Sequence, residues 1–131
     1  MARNVAVSVL LTSSASAELP CDLGPRSEPA VRAWWHRSGS PEAPLYTLDA
    51  LPGQRGAGGL VQARHSLADA LRGRAHFSAV RRPALLSISA LRYEDHGLYV
   101  CNVEFKYGTR RSYEVELDII GPCARLLISP Q

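Results

Sequence analysis

The sequence predicts an all-β fold, a two-sheet sandwich, from three observations. Turn-forming clusters recur at short intervals: "GPRSEP", "SGSPEAP", "LPGQRGAGG", "RGR", "VRRP", "DHG" and "KYGTRR". The runs between them are short, and several alternate apolar and polar residues, the pattern of a half-buried strand. Two of these runs carry Cys21 and Cys101, and Trp35 lies between them in a third.

Each element follows in chain order. Val5 to Leu11 reads as a first strand, with Val5, Val7 and Val9 on one face. The rival reading is a short signal peptide, basic "MARN", apolar "VAVSVLL" and a small-residue site at Ala15 to Ala17. Cleavage after Ala17 would delete half of the strand that carries Cys21, which favours the first strand. A secretion signal would then be missing from this chain. Ala17, Leu19, Cys21 and Leu23 alternate, and so do Val31, Ala33 and Trp35. "APLYTLDA" reads as an edge strand following the Trp strand. Gly53 to Gly59 reads as a flexible loop, without the lysine of a phosphate-binding loop. "SLADALR", Ser66 to Arg72, is the one helix-like stretch, enough for a turn or two. In "LLSISAL", Leu86 and Ile88 share a face, with Leu91 just beyond. Tyr99, Cys101 and Val103 share a face, as do Tyr113, Val115, Leu117 and Ile119.

The bulk numbers fit one domain with a real core: 131 residues, of which 46% are hydrophobic. The expected division is a domain over 1–121 and a tail over 122–131. The net charge of +3 comes with scattered arginines, which gives no reason to expect nucleic acid. No apolar run reaches the roughly 18 residues of a membrane span. Cys21, Cys101 and Cys123 form no C-x-x-C pair, so no metal or cofactor is expected. Neither Asn4 nor Asn102 opens an N-x-S/T sequon.

A cysteine, tryptophan, cysteine layout among about seven or more short strands is the pattern of the immunoglobulin sandwich, a Greek-key fold. Cys21 and Cys101 are expected to bridge the two sheets, and closing so long a loop stabilises by roughly 4–5 kcal/mol on the chain-entropy model. The length between the cysteines favours the variable type, with extra strands in the middle. Trp34 and Trp35 face opposite ways. Inward Trp35 leaves Arg32 outside, whereas inward Trp34 would bury it, so Trp35 is assigned to the core. Trp34 then points outward, either as a binding anchor or covered by a neighbouring loop or strand.

"YEDHGLYVC" resembles a catalytic cluster until its spacing is read. Asp95, Gly97, Tyr99 and Cys101 match the D-x-G-x-Y-x-C motif of the immunoglobulin superfamily. Tyr99 stands where the tyrosine corner belongs, its hydroxyl directed at upstream backbone. Gly97 supplies a tight turn, Asp95 is expected to pair with Arg74, and His96 is an exposed loop residue. A disulfide removes the thiolate a cysteine nucleophile needs. No triad and no metal-ligand spacing appear, so no catalytic residue is assigned.

Longer phrases carry a narrower likeness. "ELPCDL", "PLYTLDA", "ARHSLADALRGRAHFS", "PALLSISALRYEDHGLYVC" and "VEFKYGTRRSYEVELDIIGP" resemble the first immunoglobulin domain of the arthropod Sidestep family, over about Val5 to Pro122. The resemblance implies a cell-surface adhesion and axon-guidance molecule, extracellular and membrane-anchored. It implies partners among the Beaten path family of immunoglobulin proteins, bound through the sheet of the Trp and second-Cys strands. The tail "GPCARLLISPQ" departs from the family, Cys123 has no counterpart there, and the chain is expected to be a fragment.

The expected binding surface is the outward face of that front sheet and its loops: Trp34, His36, Tyr46, Asn102, Glu104, Lys106, Tyr107, Arg110 and Arg111. Tyr, Trp and Arg are the residues that bury area while keeping their hydrogen bonds. Two other functions fit the composition. An immune-type variable domain would recognise foreign or soluble ligands, but "YEVELDIIG" lacks the G-x-G bulge of a joining segment. An anionic-glycan binder would use Arg72, Arg74, Arg81 and Arg82 if they form one patch.

Overall fold

The computed structural model describes residues 4–25, 27–50 and 59–121. Its nine described strands are β1 (Asn4–Leu10), β2 (Ala17–Cys21), β3 (Ala30–Arg37), β4 (Tyr46–Ala50), β5 (Ala63–Leu67), β6 (Ala75–Ser78), β7 (Ala84–Ile88), β8 (Gly97–Phe105) and β9 (Arg110–Ile120). They form two sheets. The front sheet runs β1-β9-β8-β3-β4-β5 and the back sheet β2-β7-β6. β1 pairs with β9 in parallel, and the remaining pairs are antiparallel. Two strands beyond the Trp strand, β4 and β5, extend the front sheet, which is the variable-type arrangement.

Alternation builds the core. β8 buries every second residue from Tyr99 to Phe105, and β9 does so from Tyr113 to Ile119. β2 and β7 turn Leu19, Cys21, Leu86 and Ile88 toward them. Cys21 of the back sheet and Cys101 of the front sheet are joined by a disulfide with a Cα–Cα distance of 6.2 Å. Trp35, opposite Cys101 in the register, is 0% exposed. Its ring meets Phe77 of the back sheet edge-on at 5.9 Å, and Phe77 meets Tyr46 likewise at 6.0 Å.

One expectation about the elements changes, and one is sharpened. The strand of "YTLDA" is not the edge: β5 pairs along its outer side, from Ala50↔Ala63 to Tyr46↔Leu67, and takes the edge position. "SLADALR" makes one of the turn or two expected of it. Ser66 and Leu67 finish β5, and only Asp69–Leu71 make a 3-10 turn. The reason is that Leu67 finds its partners across the β4–β5 ladder, which the local helix pattern does not register. The stretch 51–58 of the glycine-rich segment and the tail with Cys123 lie outside the described residues.

The crossover from β7 to β8 is fixed by a buried corner. A 3-10 turn, Tyr93–Asp95, buries the Asp95 carboxylate. Arg74, just before β6, donates to both of its oxygens, at 2.8 and 2.9 Å. The Arg92 amide donates to Oδ2 at 2.8 Å. The Tyr99 hydroxyl donates to the Asp95 carbonyl. Arg37, at the end of β3, donates to that same carbonyl at 3.1 Å, to the Tyr99 oxygen at 2.6 Å and to the His96 carbonyl at 2.7 Å. Gly97 has φ +138°, and a Cβ there would sit 2.8 Å from Arg37 Nη2. A side chain would therefore meet both backbone strain and the corner's own guanidinium.

Burial pushes the Asp95 carboxyl up, but the hydrogen bonds from Arg74 and Arg92 and their positive charges outweigh it and hold it below the ordinary range. A carboxylate held lower in the folded than in the unfolded chain adds stability above its unfolded pKa of about 3.9 and loses it as pH falls through the folded value. Asp95→Asn strands the buried Arg74 and should cost about 3–5 kcal/mol in urea melts near pH 6. That difference should shrink steadily below about pH 4. A difference that stays constant to about pH 2 would contradict the pairing.

Candidate functional site

The register writes the outer face of the front sheet row by row, because residues directly opposite one another share a face. One row holds Arg64, Asp49, Arg32, Glu104 and Arg110. The next holds Ser66, Thr47, Trp34, Asn102 and Ser112. Beyond it lie His36, Val100 and Glu114, then Leu98 and Glu116. The face therefore passes from alternating charge, through an uncharged band with an indole, to an acidic end.

Trp34 is half-buried on this face, between Thr47 and Asn102. The Arg32 guanidinium lies 4.8 Å from its ring centroid, a contact worth roughly 0.5–1 kcal/mol at an exposed site. The Ser112 hydroxyl donates to Asn102 Oδ1 at 2.9 Å, while Asn102 Nδ2 has no partner among the described residues. Glu104 faces Arg110 at 3.9 Å. The β8–β9 hairpin closes through the Phe105 amide to the Thr109 carbonyl at 2.8 Å, with Gly108 at φ +91°. That turn lifts Lys106 and Tyr107 off the end of the sheet, Tyr107 with 73% exposure.

Two residues expected on this surface face inward, and a third is on it but closed over. Tyr46 is 2% exposed, because it pairs with Trp35 and so shares its inward face. Its hydroxyl is hydrogen-bonded with His65 Nδ1, and the His65 ring stacks on His76 of β6 at 5.3 Å. Tyr46 thus seals the open side of the sandwich between the β5 and β6 edges. His36 is on the outer face by alternation but only 8% exposed, with its Nδ1–H donated to the Arg37 carbonyl at 2.8 Å. Arg111 pairs with Val103 of the inner face and lays its guanidinium over Phe105 at 5.3 Å. The four arginines proposed for a glycan form no single patch. Arg72 and Arg74 precede β6 and Arg81 and Arg82 follow it. Arg74 is committed to Asp95 and Arg72 to Asp69 at 3.2 Å.

Sequence reasoning missed Arg37, whose signal is its place two residues after the core Trp35. It also missed Thr47, Asp49 and Arg64, which join the face only through the β3–β4–β5 register. Glu114, Glu116 and Asp118 were legible, since they alternate with buried Tyr113, Val115, Leu117 and Ile119. Among the described residues, no three His, Cys, Asp or Glu side chains gather to hold a metal, and no helix is long and apolar enough to cross a membrane.

Solved structures share this architecture. The first immunoglobulin-like domain of human CD48 antigen superposes with a TM-score of 0.65 at 16% identity, over 99% of this chain and 88% of that one. The extracellular domain of the voltage-gated sodium channel beta4 subunit gives 0.63 at 14% identity, over 92% and 94%. Domain 1 of VCBP3 from Branchiostoma floridae gives 0.63 at 20% identity, over 86% and 88%. The fold is the immunoglobulin-like variable-type sandwich. No family model matches the sequence, and no curated protein does.

The Tyr46 seam has a pH signature. Burial pushes the His65 imidazole down from its usual value, and the neighbouring His76 adds to that. A histidine held lower in the folded chain costs stability as pH falls below its unfolded pKa of about 6.5. His76→Asn should therefore raise the His65 pKa in an NMR titration and recover part of the stability lost between about pH 6.5 and 5. An unchanged His65 titration would show that the two rings do not interact.

Proposed function

We propose that this chain is an extracellular, partner-binding immunoglobulin domain of a cell-surface adhesion or guidance molecule, and that it binds another immunoglobulin-family protein through the outer face of its front sheet. The observation that carries the reading is Trp34, a large indole held outward in the middle of a broad sheet, flanked by uncharged Thr47 and Asn102 and overlain by the guanidinium of Arg32. An aromatic anchor inside a polar rim is the composition of an interface hot spot. The similar fold of the sodium channel beta4 subunit is described as acting in cell-cell adhesion, which supports the same use here. The Sidestep-like phrases point to a Beaten path family protein as the partner. The contact residues are then Trp34, Asn102, Glu104 and Arg110 on the sheet and Lys106 and Tyr107 on the hairpin.

The test is surface-immobilised binding to Beaten path family ectodomains. Trp34→Ala should weaken binding about thirtyfold, the ~2 kcal/mol of a hot spot. Arg110→Ala should act mainly on the association rate, and Arg72→Ala, outside the face, should change nothing. Unchanged affinity in both Trp34→Ala and Arg110→Ala, with the fold intact by circular dichroism, would sink the surface assignment.

A further inference from the structure

The described strands leave four sheet edges, at β1 and β5 in the front sheet and at β2 and β6 in the back sheet. An edge with unpaired amides and carbonyls invites pairing with another chain unless charge, proline or a covering group blocks it. Three of the four edges are blocked. β5 and β6 close against each other where the His65 ring stacks on His76, and β5 adds exposed Arg64. β2 carries Pro20, which has no amide to donate, and exposed Glu18. β1 differs. Its sequence, NVAVSVL, holds no charge, no proline and no glycine, and three of its seven residues are β-branched valines. The parallel ladder with β9 uses one side of β1, and the other side has no strand partner among the described residues.

We propose that the β1 edge docks an extended segment of a partner protein, added antiparallel to β1, with basic residues at alternate positions and apolar residues between them. On the outer face, exposed Ala6 and Ser8 pair with Glu116 and Asp118 of β9. A strand added beyond β1 lies about 10 Å from β9, two strand spacings. Ala6 and Ser8 are short, so a lysine or arginine reaching from one side and a carboxylate from the other close that gap. Among the described residues no ion pair engages Glu116 or Asp118. On the inner face, Val5 is 40% exposed, and Val7 and Val9 are partly buried against the core. Two cavities open beside them. One of about 440 Å³ is bordered by Val5, Pro20 and Tyr113, and one of about 900 Å³ by Val7, Val9 and Ala17. The apolar residues of the added strand cover these valines and enter the cavities.

Charge selects the occupant. A segment with glutamate at the outward positions is repelled by Glu116 and Asp118. A second copy of this chain is a poor fit for the same reason. Its own β1 brings no cation, and pairing β1 with β1 sets Glu116 and Asp118 of both copies on one face, with only the two β1 strands between them. The site is separate from the surface around Trp34, because β9 and β8 lie between β1 and β3. It stands or falls independently of the adhesion reading.

Fluorescence anisotropy and amide hydrogen exchange of the full chain test this together. The probe is a labelled peptide with blocked termini, seven residues long to match β1, alternating valine and lysine. It should bind, and binding should weaken when salt rises from about 0.1 M to about 1 M and the Debye length shortens from about 10 to about 3 Å. The same peptide with glutamate for lysine should not bind. Glu116→Lys, at an exposed position, should weaken binding about tenfold, and Trp34→Ala should leave it unchanged. Exchange should slow at alternate amides of β1 when the lysine peptide is added, because a new ladder engages them. Absence of binding, equal binding of the glutamate peptide, or binding that leaves β1 exchange as in the free chain overturns the inference. Exchange at those amides that is already slow before peptide is added also overturns it. That result assigns the edge to a second copy where the slowing grows with protein concentration, and to the chain itself where it does not.

Discussion

The Asp95 carboxylate and its carbonyl tie their own turn and the start of β8 to two pieces of chain that are distant in sequence. Arg74 brings the start of β6, Arg92 the end of the β7 crossover, Tyr99 the body of β8, and Arg37 the end of β3. The back sheet and the front sheet meet at this one residue, which is 7% exposed. A buried charge is costly unless its remaining hydrogen-bonding capacity is met, and each of these donors removes part of that cost. Because Tyr99 is one of them, the position of β8 along its axis is set by the corner rather than by hydrophobic packing alone. A slip of one residue would exchange the faces of the whole strand.

From that register the outer face follows. Tyr99, Cys101, Val103 and Phe105 go inward, so Val100, Asn102 and Glu104 go outward. β3 is paired to β8 with Trp35 opposite Cys101, and this places Trp34 beside Asn102. β9 is paired with Tyr113 opposite Cys101, and this places Arg110 beside Glu104. The disulfide and Trp35 brace the same level of the sandwich from within, directly beneath the uncharged band. The proposed binding surface is thus backed by the disulfide and Trp35, a braced platform that would keep the ordering cost of binding low.

The sequence was most legible where a short motif has a fixed spacing. Cys21, Trp35 and the Asp95 to Cys101 run state the sandwich, its bridge and the register of β8, since each needs only local offsets. The outer face was legible only in part, because it depends on pairing between strands. Tyr46 reads as a binding aromatic by composition, yet its pairing with Trp35 commits it to the core. Arg111 reads as half of a basic pair with Arg110, yet alternation sends it the other way, onto Phe105. His36 faces outward by alternation and is still closed over. Arg64 and Asp49 joined the face from a strand pair whose connection carries no spacing rule. The two arginine pairs around β6 look like one cluster on paper because four strand residues hide the distance between them.

The central claim is that the outer face of the front sheet, and no other, meets the partner. Hydroxyl-radical footprinting of the chain, free and saturated with a Beaten path family ectodomain, reads this directly because it reports side chains and so separates the two faces of each strand. The account predicts protection of Trp34 and Tyr107, with Leu85 of the back sheet and Tyr93 of the crossover unchanged. Protection concentrated on Leu85 or Tyr93 while Trp34 stays as reactive as in the free chain would contradict it.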